Sequence, residues 1–373
     1  MKAYRHTRWF CWCQRVVDFP EDPTTDLPFA YGRPPLHGLL RANPEDFQVD
    51  EILGYEPCGE GEHAFLHIRK RGLNSADVAR ELARFAGVRQ VNVGFAGLKD
   101  RHAVATQFFT VHLPGKDSPD WWQLNSDSLQ VLDAQRHNRK IRRGSLRGNR
   151  FRLVLRALQG DRDKADAVCA QISAEGVPNY FGPQRFGRNA SNLDRAATML
   201  AGEGRRPKPE QMRMLLSAAR SYLFNAVLAE RVRQGNWNLA LDGEVLLLNG
   251  SNRQFIAEAD DAAITQRIAT HDVHPSGPMP GELGRTLQPQ RETAELESAV
   301  LGQGLAKDWV AALIARRAGS ERRSLRLIPE AFANKWLDAQ TLELTFSLPS
   351  GAFATTVVRE LMRDVGPAGN KRD

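Results

Sequence analysis

The chain has 373 residues, of which 42% are hydrophobic and 25% are charged, and its formal net charge is +7 at pH 7. These values are ordinary for a soluble globular protein with two domains, or with one core and a large insertion. No apolar run reaches membrane-spanning length and residues 1–15 lack a signal-peptide cleavage site, so we expect a cytoplasmic protein. The basic balance suits a polyanionic partner but does not prove one.

Cysteine and histidine positions argue against a disulfide framework and against a zinc site. The four cysteines, at positions 11, 13, 58 and 169, form no C-x-x-C pair, and the nine histidines show no zinc-ligand spacing with them. Cys11 and Cys13 could belong to a metal site, but a dispensable extension, least ordered over its first twenty or so residues, is the better interpretation. We therefore expect no metal, and the sequence contains no dinucleotide motif.

The first predicted elements are strands. Residues 38–51 predict a strand, a turn at Asn43-Pro44 and a second strand, in which Phe47 suits a core position by its type alone. Residues 60–70 predict another strand, with His63 and His67 on an exposed or half-buried face. Residues 74–86 predict a helix with Ser75 as its cap.

The most informative stretch is residues 94–107. Before and within it, Val91, Val93 and Phe95 alternate with smaller or polar residues, which predicts a strand with one buried face. Residues 107–113, rich in Phe, Thr and Val, predict a second strand. The glycines between the two strands permit tight backbone geometry and the close approach of another molecule.

Asp100 falls in the loop between these two strands. It is flanked by Lys99 and Arg101, and adjacent cations favour the ionised carboxylate. A carboxylate kept charged in a concave site can act as a nucleophile. The chemistry of this stretch alone, however, favours a turn cap or a surface pair with Lys99.

Residues 136–152 contain eight Lys or Arg and few apolar residues. A solvated loop is the ordinary interpretation. We favour a phosphate-contacting strip, because such a charge density is self-repulsive unless anions lie nearby. The residues predicted to contact RNA here are Arg139, Lys140, Arg142 and Arg143. A strand at 153–158 and an amphipathic helix at 161–176 follow.

Residues 177–187 contain two glycines, two prolines and three aromatic residues. This composition predicts a rigid, exposed turn. Packing could account for the aromatic residues, but Arg185 and the aromatic faces also suit RNA backbone contact and base stacking.

The segment at about 188–325 reads as an inserted domain. It predicts helices at 192–200, 211–234, 292–301 and 308–317, a strand at 242–248, and a Pro/Gly loop at 275–280. A second basic cluster is formed by Arg316, Arg317, Arg322, Arg323 and Arg326. The chain then returns to a strand at 342–348 and a helix at 352–361, with Phe353 at their junction and a frayed tail from Gly366.

Several motifs in one order resemble the TruD family of tRNA pseudouridine synthases. The resemblance covers residues 30–363, and although any single motif could be accidental, the ordered set is not explained by chance. Departures are modest: the N-terminus is longer than the family needs, and Leu98 and Arg101 occupy positions where other residues also occur. The motifs are Asn43 to Phe47, Gly97 to Gln107, Gly148 to Phe151, Asn179 to Gly187 and Leu348 to Leu361.

The resemblance implies an α+β fold with a pseudouridine-synthase catalytic core, whose mixed, largely antiparallel sheet is split by a cleft. It also implies an inserted α/β TRUD domain. We accordingly divide the chain into an extension and lead-in at 1–30, a first part of the core at 31–176, the inserted domain at 177–326 and the C-terminal part of the core at 327–373.

The resemblance further implies an isomerase that converts uridine 13 of tRNA to pseudouridine and needs no cofactor. Asp100 would be the nucleophile, attacking either C1′ of the ribose or C6 of the uracil. We expect its oxygen to be buried in a dry aromatic slot. The substrate-binding residues would be Phe47, Asn149, Phe353, Phe151 and Arg41, and the RNA-binding residues Lys99, Arg139, Lys140, Arg142, Arg143 and Arg185.

Three other interpretations stay open at this point. The chain could be a pseudouridine synthase acting on another RNA, or a non-catalytic protein that binds or folds tRNA with the same surfaces. A glycosidase-like hydrolase using Asp100 and a second carboxylate such as Glu45 is weaker, because no spacing fixes the acid partner. We expect a monomer with tRNA as its partner and no membrane association.

Overall fold

The computed structural model describes residues 19–258 and 261–365. The predicted Cys11-x-Cys13 fragment and the tail from Gly366 lie outside these residues. In the described part, the strands are β1 (Leu36–Leu40), β2 (Phe47–Leu53), β3 (His63–Arg71), β4 (Val93–Phe95), β5 (Val104–His112), β6 (Leu129–His137), β7 (Leu146–Gly160), β8 (Val177–Pro178), β9 (Val245–Leu248), β10 (Gln254–Ile256), β11 (Val273–Met279), β12 (Glu321–Ser324), β13 (Arg326–Leu327), β14 (Glu330–Asp338), β15 (Thr341–Pro349) and β16 (Met362–Asp364).

The helices follow the predicted positions closely. Asp161 caps the second helix by accepting a hydrogen bond from the backbone N–H of Lys164, as its sequence position suggests. The first helix instead starts after Asn74, and the hydroxyl of Ser75 turns inward. The helices are α1 (Ser75–Phe85), α2 (Arg162–Glu175), α3 (Ser191–Leu200), α4 (Pro209–Arg233), α5 (Ala262–Ala269), α6 (Arg291–Leu301), α7 (Gly304–Ala315) and α8 (Ala354–Leu361).

A large mixed sheet forms the centre of the fold. Its strands run in the order β14-β15-β7-β2-β5-β3-β6, with β1 beside β7 and β16, and β4 beside β5. The β2–β5 and β1–β16 pairs are parallel, and the other pairs of this sheet are antiparallel. This arrangement confirms the predicted α+β fold with a mixed, largely antiparallel sheet.

The predicted Pro/Gly loop at 275–280 is wrong, because residues 275–279 belong to β11. This strand lies inside a second sheet with the order β10-β9-β11-β12. It pairs with β9 over Val273–Pro275 and with β12 over Ser276–Met279. Each proline therefore has a ladder partner on one side only, so the missing N–H breaks few sheet hydrogen bonds.

Apolar packing ties the helices to the sheets. Helices α2 and α8 contribute Val168, Ile172 and Val357 to a core cluster that also contains Phe47 and Phe151. Helix α1 covers another part of the main sheet. Helices α3, α4 and α7 share a separate cluster, against which the described lead-in residue Phe19 and the half-buried Phe353 also pack.

The register of β2 and β7 determines which side chains share a face. Val49 lies opposite Phe151, and Glu51 lies opposite Asn149. Because side chains alternate along a strand, Phe47, Val49 and Glu51 point to one side of the sheet, together with Asn149 and Phe151. The pairing thus brings three of the sequence-predicted site residues to one surface.

The turn between β1 and β2 is anchored by the buried Asp46. Its carboxylate accepts hydrogen bonds from the backbone N–H of Asn43 at 3.0 Å and from Arg156 Nε at 2.9 Å. Burial opposes ionisation, but the hydrogen bonds from Arg156 and Asn43 outweigh it, so the pKa of Asp46 lies below its ordinary value. This anchor fixes the turn that carries Arg41 and Phe47.

The Asp46→Asn variant tests this anchor. A carboxyl group with a depressed pKa in the folded state stabilises the protein above its unfolded pKa, near 4, and this stabilisation disappears as the pH falls through the folded pKa. We expect the variant to be less stable by about 2–3 kcal/mol at pH 7, and the difference from wild type to shrink toward pH 3. Urea unfolding across this pH range measures both quantities.

The neighbouring Glu45→Gln variant is the matched control. The ion pair of Glu45 with Arg71 is about half exposed on both sides, so its loss should cost no more than about 1 kcal/mol. Equal losses for the two variants, or a pH-independent difference for Asp46→Asn, would contradict the anchoring role of Asp46.

Candidate active site

A cleft of about 380 Å³ opens over the β2–β7 face. Five parts of the chain meet there: the β1–β2 turn, the loop between β4 and β5, the paired strands, the turn that carries Gln184, and the turn from β15 into α8. Seven of the sequence-predicted site residues line it together, although some are more than three hundred residues apart in sequence. They are Arg41, Phe47, Lys99, Asp100, Asn149, Phe151 and Phe353.

Asp100 is paired with an arginine at the cleft. Its Oδ2 lies 2.9 Å from Arg41 Nη2. The side chain of Asp100 is 62% exposed and that of Arg41 is 30% exposed. The expectation of a buried Asp100 oxygen is therefore wrong, because the loop presents the carboxylate at the mouth of the cleft and not at its floor.

Arg41 is held in an unusual conformation between an aromatic ring and the carboxylate. Its guanidinium carbon lies 3.9 Å from the centroid of the Phe47 ring, within cation–π range. Its backbone φ is +64°, in the left-handed region that residues with a β-carbon seldom adopt. The neighbouring anchor at Asp46 and the contacts of the guanidinium hold it there.

Lys99 points away from the carboxylate that follows it in sequence. Its Nζ lies 2.5 Å from Oε1 of Glu51, and the two side chains are 8% and 0% exposed. Glu51 also accepts a hydrogen bond from the backbone N–H of Phe108 at 3.0 Å. The RNA contact of Lys99 stays a prediction, and in this structure its charge is neutralised internally by Glu51.

Two further side chains support the loop from below. Gln107 donates from Nε2 to the carbonyl of Gly97 at 2.7 Å and accepts a bond from the Ser75 hydroxyl at 2.7 Å. The same hydroxyl accepts from the backbone N–H of Lys99 at 2.9 Å. This network fixes the backbone on the N-terminal side of Asp100.

Lys70 holds the other side of the loop. It is fully buried at the end of β3, and its Nζ donates to the carbonyls of Leu73 at 2.6 Å and Asp100 at 3.1 Å. Burial lowers the pKa of Lys70 to about 8, against the opposing effect of nearby Asp100. The buried ammonium thus attaches the backbone of Asp100 to the central sheet.

Aromatic side chains form the apolar part of the cleft. The rings of Phe47 and Phe151 meet edge to face with centroids 6.2 Å apart. Both are almost fully buried, whereas Phe353, just before α8, is half-buried on the other side of the cleft. A planar base could lie against such rings.

Asn149 supplies an unused polar atom. It lines the cleft, and its Oδ1 is buried but makes no hydrogen bond within the residues that the structure describes. A buried amide oxygen without a partner is costly, and native proteins seldom keep one without a reason. The cleft therefore combines aromatic faces, a free amide oxygen and an accessible carboxylate.

The basic strip at 136–152 is only partly free. Arg139, Arg142 and Arg143 are exposed. Lys140 instead donates to the carbonyl of Val91, and Ile141 is buried. Three of the four predicted RNA-contacting residues of this strip therefore present their charges to solvent, while Lys140 is occupied internally.

The turn at 177–187 is largely packed, and only its tip at Pro183 and Gln184 is exposed. Its three aromatic side chains, Tyr180, Phe181 and Phe186, are buried. Arg185 lies 5.1 Å from the centroid of Phe181 and donates to the hydroxyl of Ser217, and burial lowers its pKa. The RNA contact of Arg185 stays a prediction, and in this half-buried side chain the guanidinium group already contacts Phe181 and Ser217.

Most of the second basic cluster is likewise internal. Arg322 pairs with Glu297 at 2.5 Å, Arg323 donates to Oδ1 of Asn179 at 2.6 Å, and Arg326 donates to backbone carbonyls. Burial lowers the pKa values of Arg323 and Arg326 to about 10. These guanidinium groups join the second sheet to the rest of the fold.

Sequence reasoning missed three residues at this site. Glu51 ends the predicted 38–51 segment, and its partner Lys99 comes from a distant element. Gln184 lies within a quoted motif and lines the cleft. Lys70 had a readable signal, because it continues the buried alternation of Ala64, Leu66 and Ile68 along β3. A lysine in that register indicates a buried cation.

Some functional classes receive no support from the described residues. Between 19–258 and 261–365 no group of three or more His, Cys, Asp or Glu side chains is arranged to hold a metal ion. Over the same ranges, no helix has the length and apolar character required to cross a bilayer. Cys58 and Cys169 are free thiols.

Comparison with known proteins gives one consistent result. The family model described as tRNA pseudouridine synthase D (TruD) matches residues 27–204 and 205–361. The tRNA pseudouridine synthase D of Methylococcus capsulatus is 48% identical over 343 residues, which cover 90% of this chain and 94% of that protein. The protein of that name from Nitrosococcus oceani is 49% identical over 337 residues, covering 89% and 92%.

A solved structure agrees at the level of the fold. A Methanosarcina mazei protein assigned to tRNA pseudouridine synthase D superposes with a TM-score of 0.69, over 90% of this chain and 95% of that one. The two sequences are 22% identical, so this likeness supports the fold alone. It agrees with the mixed sheet described above.

Fold, cleft and relatives together define an RNA pseudouridine synthase, an isomerase that rearranges uridine within an RNA chain. The chain belongs to the tRNA pseudouridine synthase D (TruD) family, whose model matches nearly all of residues 27–361. The resemblance inferred from the ordered motifs is thereby confirmed.

The Lys70→Met variant tests the support beneath the catalytic loop. The substitution keeps an unbranched apolar chain but removes the donors to Leu73 and Asp100. Because a displacement of about 1 Å can cost roughly 100-fold in rate, we expect single-turnover pseudouridine formation to slow about 10- to 100-fold, with RNA affinity unchanged. Urea unfolding of each variant separates loop displacement from loss of fold.

Lys116→Met serves as the control, since Lys116 is exposed just beyond β5. It should retain the wild-type rate. A folded Lys70→Met protein that also reacts at the wild-type rate would show that Lys70 does not position Asp100.

Proposed function

We propose that this enzyme converts uridine 13 of tRNA to pseudouridine, with the carboxylate of Asp100 as nucleophile, and that it acts in the cytoplasm as a monomer. The observation that supports the proposal most directly is the meeting of Asp100, Arg41, Asn149 and the aromatic side chains in one cleft. The names of the relatives support tRNA as the substrate. Position 13 rests on the family resemblance.

The reaction breaks the C1′–N1 bond of the nucleoside and forms a C1′–C5 bond. It gains no atoms and changes no oxidation state, so the proposed reaction calls for no cofactor. The target base first leaves the stack, because Asp100 cannot reach a nucleoside inside a helix. Asp100 then attacks C1′ of the ribose or C6 of the uracil, and either attack forms a covalent intermediate that the rearrangement resolves.

The remaining cleft residues have distinct proposed roles. Arg41 positions the Asp100 carboxylate and neutralises part of its charge through the 2.9 Å contact. Phe47, Phe151 and Phe353 hold the faces of the detached uracil while it turns. The free Oδ1 of Asn149 accepts a hydrogen bond from a base N–H. Closure of the cleft by RNA would exclude the water that could capture an activated sugar.

We also propose the division of the chain into a catalytic core and an inserted domain at 177–326. The two ends of this segment lie side by side, because β8 pairs with β13 through Val177↔Leu327 and Pro178↔Arg326. Adjacent ends are expected of a segment inserted between two parts of one core. The second sheet falls wholly within the segment, which agrees with this division.

The exposed arginines of the 136–152 strip are proposed to contact tRNA phosphates. The strip leads directly into β7, which carries Asn149 and Phe151. Cations at this position would meet the RNA backbone beside the target nucleotide. Lys140 would contribute less, because it is bonded to Val91.

The Asp100→Asn variant is the central test. We expect it to lose turnover completely and to keep most of its tRNA affinity, because the amide has nearly the same shape but is a very weak nucleophile. Pseudouridine is mapped in tRNA from cells that lack the gene and are complemented with wild type, Asp100→Asn or the surface control Glu45→Gln.

Each outcome of this mapping bears on the proposal. Pseudouridine 13 should return with wild type and Glu45→Gln and stay absent with Asp100→Asn. Substantial modification by Asp100→Asn would reject the nucleophile. Modification of a different RNA would favour the broader specificity, and wild-type tRNA binding without any pseudouridine would favour a binding or folding protein. Release of free uracil would indicate a hydrolase.

The strip is tested by the triple change of Arg139, Arg142 and Arg143 to Gln. Each phosphate contact contributes about 0.7–0.9 to the slope of log K against log salt, so we expect the slope to fall by about 2–3 and affinity to weaken. Lys140→Gln alone should change the slope little. An unchanged slope in the triple variant would indicate that the strip is a solvated loop that does not contact tRNA.

A further inference from the structure

A second concave surface lies away from the cleft, where α3 ends and α4 begins. We call it the α3–α4 cleft. It has a volume of about 400 Å³, and Met199 and Leu215 form the buried part of its wall. Its exposed rim carries four cationic side chains, Arg195, Arg205, Arg206 and Lys208.

The cations of this rim outnumber the carboxylates that line the cleft, four to one. Glu203 is the carboxylate that lines the cleft beside the four cations. In residues 19–258 and 261–365, none of the four enters an ion pair or a side-chain hydrogen bond. By contrast, Arg231 and Arg322 are matched by Glu244 and Glu297. Unmatched cations around a concavity favour an anionic ligand.

The start of α4 adds to this potential. The helix is 25 residues long and begins at Pro209, and no side chain caps its N-terminus. The first free N–H groups and the positive end of the helix dipole therefore lie at the cationic rim, where Glu210 in the first turn offsets part of this potential. This feature reinforces the rim charge and would not define a site without it.

The α3–α4 cleft is joined to the catalytic cleft by one packed cluster. Met199 and Leu215 belong to the cluster that includes Phe186, and Phe353 of the catalytic cleft packs against the same cluster. Side chains in such a core keep their relative positions. A ligand that spans both clefts would therefore meet two surfaces in a fixed relation.

The internal pairing of other cations narrows the choice of surfaces for a polyanion. Lys99 pairs with Glu51, Arg185 is packed on Phe181, and Arg323 is bonded to Asn179. These three cations are held by internal partners, whereas the four cations of the α3–α4 rim are exposed.

We propose that the α3–α4 cleft binds the phosphodiester backbone of the substrate tRNA at a segment separate from the target uridine. The inference rests on the proposed function in requiring a tRNA substrate, but it requires neither position 13 nor the identity of the nucleophile. Binding at phosphates makes the contact independent of sequence. Its contribution is to affinity and orientation, and the chemical step proceeds in the other cleft.

The test changes Arg205, Arg206 and Lys208 together to Gln in the Asp100→Asn background, so that binding is measured without turnover. We expect affinity for a full-length tRNA transcript to fall about 10- to 100-fold, and the salt slope to fall by about 2–3. Affinity for a short stem-loop that carries only the target uridine and its own arm should be unchanged. Fluorescence anisotropy across a salt series measures all three quantities.

The matched control changes Arg84, Arg253 and Lys335 to Gln, three exposed cations that do not line either cleft. It removes the same charge and should leave affinity within about two-fold of the Asp100→Asn parent. Thermal unfolding checks that both triple variants are folded, and a single Arg206→Glu reversal provides a second, milder probe. It should weaken full-length binding without affecting the stem-loop.

Three results would overturn the proposal: an unchanged salt slope, equal losses for the rim and control variants, or equal losses for the tRNA and the stem-loop. Failure of the proposed function is recognised separately. If wild type leaves uridine 13 unmodified but the rim variant still loses tRNA affinity as described, the binding role of the α3–α4 cleft is supported and the proposed reaction is rejected.

Discussion

The antiparallel pairing of β2 with β7 is the constraint on which the catalytic cleft depends. Its register sets Val49 opposite Phe151 and Glu51 opposite Asn149, so aromatic, amide and carboxylate groups share one face. A slip of one residue would turn each β2 side chain to the opposite face of the sheet. Neighbouring β5 then places its backbone against Glu51, which holds Lys99 under the loop.

The sequence permitted a good prediction of the fold where local signals and tertiary context agree. The helix of residues 162–175 has a capping Asp161 and an apolar face, and the strand of residues 341–349 alternates cleanly, so both were found. The loop predicted at 275–280 was wrong for residues 275–279, because prolines usually exclude a strand. Here each proline faces only one partner strand, an arrangement that only the assembled sheet determines.

The residues of the candidate site were also predicted only in part. Recognisable motifs brought Asp100, Asn149 and Phe353 to attention, and the structure places them in one cleft. The fate of the cations was harder to foresee. Lys99 and Arg185 looked like surface charges, but their partners, Glu51 and the Phe181 ring, come from other parts of the chain. Sequence spacing contains no information about such distant neighbours. By contrast, the alternation of residues along β3 alone indicates that Lys70 lies on its buried face.

The left-handed backbone of Arg41 has a consequence for how this fold can change over time. A residue with a β-carbon at φ +64° costs about 1–2 kcal/mol relative to glycine. The chain thus gives up some stability to keep a guanidinium between Phe47 and Asp100. Selection for stability alone would favour glycine or asparagine there, whereas the proposed role of Arg41 in positioning Asp100 would oppose that change. The residue at position 41 is therefore subject to two opposing requirements, the stability of the fold and the proposed positioning of Asp100.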